Sequence, residues 1–259
     1  MRNMCQMKNQ LLVITFFSIS HLVLAKEPTT AVINDPDGYT NIRKGKGTST
    51  EIIDKIFDYE VFTYIEQPNE QWLEVTVIKC AYEDYKKSYS NTVKGYVHRS
   101  RISNLSTIDN SMMKERLTKI FNHELELYND RNNHSDRQSK EFKIASNKRA
   151  VFHEMMFNAV LYKFSDYVCS TQDEELFQLY NKIITTESGS ADELPSFAIG
   201  RIFKCQPDWT LEQIPKSHDY FFLLEWGCQG VTDKKHQQLL NKHRTNIGLK
   251  QVDYDNYEY

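Results

Sequence analysis

The fold of the N-terminal part is decided by the stretch Asp35-Pro36-Asp37-Gly38-Tyr39-Thr40-Asn41-Ile42-Arg43, which is followed further along the chain by Gly95-Tyr96-Val97-His98. The first four residues have the composition of a turn, because aspartate and glycine tolerate turn conformations and proline fixes φ. The residues after the turn, up to Arg43, predict a strand. The two segments therefore predict the early and late strands of one small β unit.

The residues between these two segments strengthen that prediction. From Ala31 to about Leu105, short runs rich in Val, Ile, Tyr and Thr are separated by clusters of Gly, Pro and Asn. Such punctuated runs are typical of a small all-β unit. In the run that begins at Trp72, apolar residues alternate with other residues, which indicates a strand with two distinct faces.

The order of these motifs resembles the bacterial SH3-like family. The resemblance rests on Asp37-Gly38-Tyr39-Thr40-Asn41-Ile42-Arg43, a glycine-containing loop, Gln71-Trp72-Leu73-Glu74-Val75 and Gly95-Tyr96-Val97-His98. It covers residues 31–105 and implies a small barrel that recognises peptides, including the peptide stems of the bacterial cell wall. One departure lies between Val77 and Lys94, where the family normally has a tight hairpin.

In place of that hairpin, residues 81–90 form a longer insertion that is rich in tyrosine and charge. Hairpin loops usually contain about two to five residues, and longer ones are often functional. The insertion is interpreted as a longer ribbon with solvated charges, or as a contact surface that contains Tyr82 and Tyr85.

The candidate ligand-binding residues are all aromatic, because aromatic side chains offer a large contact area at a low entropic cost. They are Tyr39, Trp72, Tyr82, Tyr85 and Tyr96. Tyr39 follows a glycine turn and is expected to be exposed. For Trp72 and Tyr96, the competing interpretation is that both rings only cap the core of the barrel.

The second half of the chain, residues 106–259, predicts an all-α domain. Apolar residues recur every three or four positions, for example at Met113, Leu117, Ile120 and Phe121, which is the period of an amphipathic helix. About six helices are expected by this criterion. They form either a compact bundle or a pair-stacked array of the HEAT-like kind. This half resembles no family that we recognise.

Residues 1–25 have the features of a cleaved secretory signal. Arg2 and Lys8 precede an apolar run, and Val23-Leu24-Ala25 is a small-residue cleavage pattern. The run has about 14 residues, fewer than the roughly 20 that a membrane-spanning helix needs. The mature chain, residues 26–259, is therefore predicted to be periplasmic or secreted and to contain no membrane span, and residues 26–105 form its barrel domain.

Four cysteines remain after cleavage, and four cysteines allow three different pairings. They are Cys80, Cys169, Cys205 and Cys228. An oxidising compartment favours disulfides, whereas buried free thiols are the alternative. The pairing that we expect, if one forms, is Cys205 with Cys228.

The sequence contains no convincing catalytic or metal-binding motif. His153-Glu154 resembles the start of a zinc-protease helix, but Phe157 occupies the position of the second ligand. A cysteine hydrolase would need Cys169 or Cys228 beside a general base, and neither cysteine has a suitable local sequence. We therefore predict no enzymatic activity, no metal and no cofactor.

Taken together, these features predict an α+β chain of two domains, a small SH3-like barrel followed by an all-α domain. The formal net charge of −3 supplies no basic surplus for nucleic acid. The expected function is that of an exported binding protein for peptides, peptidoglycan stems or another envelope protein. The alternatives are an envelope inhibitor or immunity-type protein that acts through the helical domain, and a cysteine hydrolase.

Overall fold

A computed structural model of the chain describes residues 26–80, 90–186, 193–231 and 233–256. The predicted signal peptide and residues 81–89 of the predicted insertion lie outside these ranges, and with them the candidate residues Tyr82 and Tyr85. Within the described residues, a β domain precedes a helical domain. The predicted fold class, an SH3-like all-β unit followed by an all-α unit, is confirmed.

The β domain is a curled antiparallel sheet in which seven described strands follow the order β3-β2-β6-β5-β4-β1-β7. A short 3₁₀ turn, Arg99–Arg101, joins the last two strands of the chain. The strands are β1 (Thr29–Ile33), β2 (Tyr39–Arg43), β3 (Ile52–Phe57), β4 (Phe62–Tyr64), β5 (Trp72–Cys80), β6 (Ser90–His98) and β7 (Ile102–Asn104).

Strand β5 shows how the sequence pattern separates the core from the outer face. Leu73, Val75 and Val77 are buried, whereas Trp72 and Glu74 lie on the opposite face. This alternation follows from the two-residue period of a strand. Strands β5 and β6 pair along their whole length, from Trp72 opposite His98 to Cys80 opposite Ser90. The outer face of this ribbon is therefore where side chains are available to a ligand.

The backbone geometry explains why two residues of the predicted motifs are glycines. Gly38 ends the predicted turn with φ of +77°, and its N–H donates to the carbonyl of Asp35 at 3.2 Å. Glycine adopts this left-handed conformation without steric cost. Gly95 lies where β6 crosses β2, and a Cβ atom there would lie 2.6 Å from the carbonyl oxygen of Arg43. Gly38 thus forms the turn before Tyr39, and Gly95 allows β6 to approach β2 closely on the core side.

The helical domain contains the six helical segments that the sequence predicts. One of these segments is extended at its N-terminal side by α2, and one short helix, α6, is additional. Helices α2 and α3 run on from one another through a π-helical turn, His153–Phe157, and α6 is a short helix that the apolar pattern did not reveal. The helices are α1 (Asn110–Asn132), α2 (Lys140–Phe152), α3 (Asn158–Thr171), α4 (Glu174–Thr186), α5 (Glu193–Cys205), α6 (Pro207–Gln213), α7 (His218–Gly227) and α8 (Lys234–Asn246).

The later helices pack in two layers. Helix α5 lies between α3 and α7 in one layer, whereas α6 lies between α4 and α8 in the other. This stacking of alternate helices favours the pair-stacked alternative over a compact bundle. The layer of α3, α5 and α7 is especially close at one point, where Gly227 of α7 meets Ser196 and Gly200 of α5 and leaves no space for a Cβ atom.

The expected pairing of Cys205 with Cys228 is wrong, because Cys205 forms a disulfide with Cys169. These two cysteines end the neighbouring helices α5 and α3, and their Cα atoms are 5.8 Å apart, a typical separation for a disulfide. Cys228 instead lies at the end of α7, where its side chain is buried in the core as a free thiol.

The two domains share an interface built on residues 58–61 of the barrel. Lys119 of α1 donates to Asp58 at 2.6 Å, and the ring of Tyr59 stacks on His123 of the same helix. Two residues further along the chain, the N–H of Val61 lies 3.1 Å from Met156 Sδ in the π-helical turn. Asp58, Tyr59 and Val61, in the segment between β3 and β4, thus contact both α1 and the π-helical turn between α2 and α3.

Candidate functional site

The most site-like feature of the β domain is a groove on its outer face, with a volume of about 430 Å³. Strand β2 pairs with β6 at Arg43 and Tyr96, and the groove opens where these two strands diverge beyond that pair. Its lining combines aromatic, charged and amide side chains: Asp35, Asp37, Tyr39, Thr40, Asn41, Arg43, Thr48, Trp72, His98, Ser100 and Arg101.

Two of the predicted binding residues, Tyr39 and Trp72, are brought together in this groove. Tyr39 begins β2 and Trp72 begins β5, and each ring is half-buried rather than enclosed in the core. The Trp72 ring meets the His98 imidazole edge to face, with centroids 5.3 Å apart and planes at 79°. The competing interpretation of Trp72, a ring that only caps the core, does not fit this position.

The other three candidates lie elsewhere. Tyr96 pairs with Arg43 on the adjacent strand and is half-buried, but it does not line the groove. Tyr82 and Tyr85 belong to the segment outside the described residues. His98 and Arg101 line the groove although the sequence did not suggest a role for either. The signal for His98 was its place two residues after Tyr96, which puts it on the same face of β6.

The hydrogen-bonding groups of the two aromatic side chains remain available in the groove. Within the described parts of the chain, no hydrogen bond engages the Tyr39 hydroxyl or the Trp72 indole N–H, and the Asn41 amide is likewise uncommitted. The Tyr39 ring is held by Lys55, whose Nζ lies 3.8 Å from the ring centroid. A ligand in the groove would therefore meet fixed rings with open donors and acceptors.

The charges of the groove are partly neutralised by each other. Asp35 is buried, and its Oδ1 accepts from the N–H of Asp37 at 3.2 Å and lies 3.3 Å from Arg101 Nη1. At the other end of β2, Arg43 donates from Nη1 to the carbonyl of Thr50 at 2.7 Å. This bond ties Arg43 to the β2–β3 loop, and it leaves the rest of the guanidinium free to face the groove.

A larger cleft of about 480 Å³ lies between the barrel and α1, but its polar groups are committed within the protein. Arg99 donates to Glu66 at 2.6 Å, to the carbonyl of Glu70 at 2.8 Å and to the carbonyl of Gln67. Asp109 caps α1 by accepting from the N–H of Met112. Because these groups already have partners, we regard the smaller groove as the better ligand site.

The cysteines and histidines weighed for catalysis are engaged in structural contacts. Cys169 is in the disulfide, and burial raises the pKa of the Cys228 thiol to about 12, so neither offers a thiolate nucleophile at neutral pH. His153 lies 3.0 Å from the fully buried Glu124. Across the described ranges, no group of three or more His, Cys, Asp or Glu side chains could hold a metal ion.

Comparison with known proteins identifies part of the chain. Residues 38–103 match the family model of the bacterial SH3 domain. No curated protein and no solved structure gives a significant match. None of the helices within the described residues combines the length and apolarity needed to cross a membrane. Most of the groove, from Tyr39 to Arg101, lies in the matched segment, and this segment is identified as a bacterial SH3 domain, in agreement with its sequence motifs.

Proposed function

We propose that this protein is an exported, non-enzymatic binding protein whose bacterial SH3 domain holds a peptide ligand in the groove of Tyr39, Trp72 and His98. The peptide stems of the cell wall are the expected ligand class, because the resemblance of this domain to bacterial SH3 domains implies such ligands. The observation that carries the proposal is the convergence of half-buried rings and uncommitted polar groups in one groove.

The groove suits a peptide better than a compact apolar ligand. Aromatic faces pack against side chains or backbone without requiring a particular sequence, while polar groups at fixed positions set orientation. Here the Trp72 indole N–H is a donor for a peptide carbonyl, and the Asn41 amide can both donate and accept. An extended peptide exposes such groups at regular intervals along its length.

Export is supported by the disulfide as well as by the N-terminal sequence. Disulfides persist in the periplasm and outside the cell, whereas cytosolic thiols are kept reduced. The bond between Cys169 and Cys205 joins the ends of α3 and α5, and both cysteines are at least partly exposed. The predicted signal in residues 1–25 would deliver the chain to a compartment where this bond is stable.

The helical domain is proposed to be a scaffold that binds a second envelope protein. Two of its aromatic side chains are unusually exposed, Tyr162 at 54% and Phe222 at 50%. Exposed aromatics are enriched where proteins bind other proteins. The same observation favours the second candidate function, an inhibitor or immunity-type protein that blocks a toxin or hydrolase through this domain.

The proposal can be tested by co-sedimentation of the purified protein with insoluble peptidoglycan. The native protein should sediment with the sacculi, and Trp72→Ala should lower the bound fraction about tenfold or more, because loss of a central aromatic contact typically costs about 2 kcal/mol or more. Tyr162→Ala is the matched control, since it removes an exposed aromatic from the helical domain.

Equal retention of all three proteins would show that the groove does not carry the binding. Loss of binding only in Tyr162→Ala would transfer the function to the helical domain. For the second candidate, co-purification with one stable protein partner is expected, and it should be weakened by Tyr162→Ala and not by Trp72→Ala.

A further inference from the structure

We infer that the loop between α1 and α2 binds a phosphate monoester through the guanidinium groups of Arg131 and Arg137. The site is a cavity of about 390 Å³, and it shares no lining residue with the peptide groove. It is therefore a second binding function, independent of the one proposed above. The cavity is lined by Arg131, Asn132, His134, Ser135, Arg137 and Phe142.

The loop that forms this cavity is polar and has an ordered backbone. Residues 129–138 contain no apolar side chain. Asp136 accepts from two backbone N–H groups, that of Gln138 through Oδ1 at 2.8 Å and that of Ser139 through its carbonyl at 3.1 Å. Ser139 in turn caps α2 by accepting from the N–H of Phe142 at 3.0 Å. These bonds connect the loop to the first turn of α2.

The lining of the cavity contains two positive charges and no acidic residue. The guanidinium of Arg137 is exposed, and within the described residues it forms neither an ion pair nor a hydrogen bond. The contacts of Arg131 are with neutral groups, since its guanidinium lies 5.3 Å from the centroid of the Tyr128 ring and 3.3 Å from Asn132 Oδ1. Both arginines therefore keep a charge that an anionic ligand can compensate.

Acidic residues flank the cavity without lining it. Asp130 Oδ1 lies 3.8 Å from His134 Nε2, which is too far for a hydrogen bond. The end of α1 and the start of α2 contribute opposite dipole charges, which offset each other. Over residues 130–142 the formal charges also balance, with three basic residues against three acidic ones: Arg131, Arg137 and Lys140 against Asp130, Asp136 and Glu141. A compact anion inside the cavity therefore fits this surface better than an extended polyanion.

The donors of the lining favour a phosphate over a carboxylate. Each guanidinium presents its N–H groups in a planar fork, and the Asn132 amide, the His134 imidazole and the Ser135 hydroxyl are further donors. A carboxylate offers two oxygens, whereas a phosphate monoester offers three and carries about two negative charges. The volume lies within the range of small-molecule sites, about 300–1,000 Å³. It leaves space for the organic part of the ester beside the Phe142 ring.

The experiment is an NMR titration of the ¹⁵N-labelled native protein, observed at the backbone N–H groups of His134 and Ser135. The probes are glycerol 3-phosphate, glycerate and glycerol, added at constant ionic strength. Glycerol 3-phosphate should give saturable shifts at millimolar concentration. Glycerate, a carboxylate of similar size, should bind about fivefold more weakly, because it loses one charge and one oxygen. Glycerol should give no shift.

Variants test the two arginines. Arg137→Gln should weaken the binding of glycerol 3-phosphate about fivefold, the upper range for one exposed ion pair. Arg131→Gln should have a similar effect, and the two losses should multiply in the double variant. Arg137→Lys keeps the charge without the planar fork, so it should lose less than Arg137→Gln. Lys182→Gln is the control, because it removes an exposed positive charge from α4.

Co-sedimentation with vesicles identifies the source of the phosphate. Retention on phosphatidylcholine vesicles that contain phosphatidic acid, but not on phosphatidylcholine alone, would assign the site to a lipid headgroup if Arg137→Gln lowers it. Binding of glycerol 3-phosphate without retention on these vesicles would assign the site to a soluble ester. Both outcomes support the site.

Three results would overturn it. The first is the absence of a saturable shift at His134 and Ser135 together with the absence of vesicle retention. The second is binding of glycerate as tight as that of glycerol 3-phosphate, which would remove the selectivity for phosphate. The third is an unchanged affinity in Arg137→Gln, which would show that the anion binds elsewhere. None of these results affects the test of the peptide groove, which depends on Trp72.

Discussion

The ring of Tyr59 stacks on the imidazole of His123, with centroids 3.9 Å apart and planes inclined by 19°. This contact joins the barrel to α1. On its other side, Tyr59 stacks on Phe57 at 5.4 Å, and Phe57 in turn lies 6.4 Å from Tyr39 in the groove. An unbroken series of rings therefore leads from the groove to the helical domain.

The first prediction concerns His123. Replacement by alanine removes its contacts with Tyr59 and with Phe152, whose ring lies 4.8 Å away. Aromatic pairs contribute about 0.5–1.5 kcal/mol each, so the loss of two pairs in His123→Ala should lower the free energy of unfolding by about 1–3 kcal/mol. His123→Phe keeps a planar ring and should recover most of the loss. Urea denaturation measures both values, and equal losses in the two variants would mean that stacking is not what stabilises the interface.

The second prediction concerns the pH dependence of stability. Burial, together with smaller contributions from the carboxylates of Glu60, Asp58 and Glu126, raises the pKa of the Tyr59 phenol from its usual 10.0 to about 12. The neutral phenol is therefore favoured in the folded state. Its contribution to stability is complete below pH 10, the range in which the unfolded phenol is neutral, and is lost as the pH rises from about 10 to 12.

Urea unfolding of the native protein and of Tyr59→Phe at a series of pH values tests this prediction. Other tyrosines and lysines titrate in the same range, so the informative quantity is the difference between the two proteins. The native protein should lose more stability than Tyr59→Phe between pH 10 and 12. Parallel pH profiles would show that the Tyr59 phenol has the same pKa in the folded and unfolded states.

The β domain could be predicted closely from the sequence because its signals are local. The turn at Gly38 and the alternation around Trp72 each depend on a few neighbouring residues, and the structure confirms both. The groove was predictable only in part. Tyr39 and Trp72 were identified as aromatic candidates, but their meeting with His98 depends on strand pairing across distant parts of the chain. Pairing of this kind has no signature in a single strand.

The helical domain shows the same limit. Helices with a clear apolar period were predicted, whereas α6 has only seven residues, too few to display one. The error in the disulfide has a related cause. Cys205 is closer in sequence to Cys228 than to Cys169, but α5 packs between α3 and α7 and turns Cys205 toward the end of α3. Sequence distance does not report the direction in which a helical side chain points.

The third prediction tests the close approach of α5 and α7. A Cβ atom on Gly227 would overlap the carbonyl of Ser196, so the two helices would have to move apart. Overpacking of this kind typically costs about 1–3 kcal/mol. We expect Gly227→Ala to lower the free energy of unfolding by at least that amount, as measured by urea denaturation.

Gly45→Ala is the control for this substitution. Gly45 lies in the β2–β3 loop with an ordinary φ, and its nearest neighbour, Thr50 Cγ2, would be 3.4 Å from the new Cβ atom. Its effect should stay within about 0.5 kcal/mol. If the two variants were equally stable, the crossing of α5 and α7 would have to be looser than the structure has it.

The fourth prediction concerns the cysteines. In protein purified without reductant, non-reducing peptide mapping should find Cys169 linked to Cys205. Because the bond closes a loop of 36 residues, Cys169→Ser should lower the free energy of unfolding by about 3–4 kcal/mol. Cys228 should resist iodoacetamide at pH 8 in the folded protein, since burial raises the pKa of its thiol to about 12, and should react after denaturation. A peptide that links Cys205 to Cys228, or rapid alkylation of Cys228 in the folded protein, would contradict the packing of α3, α5 and α7.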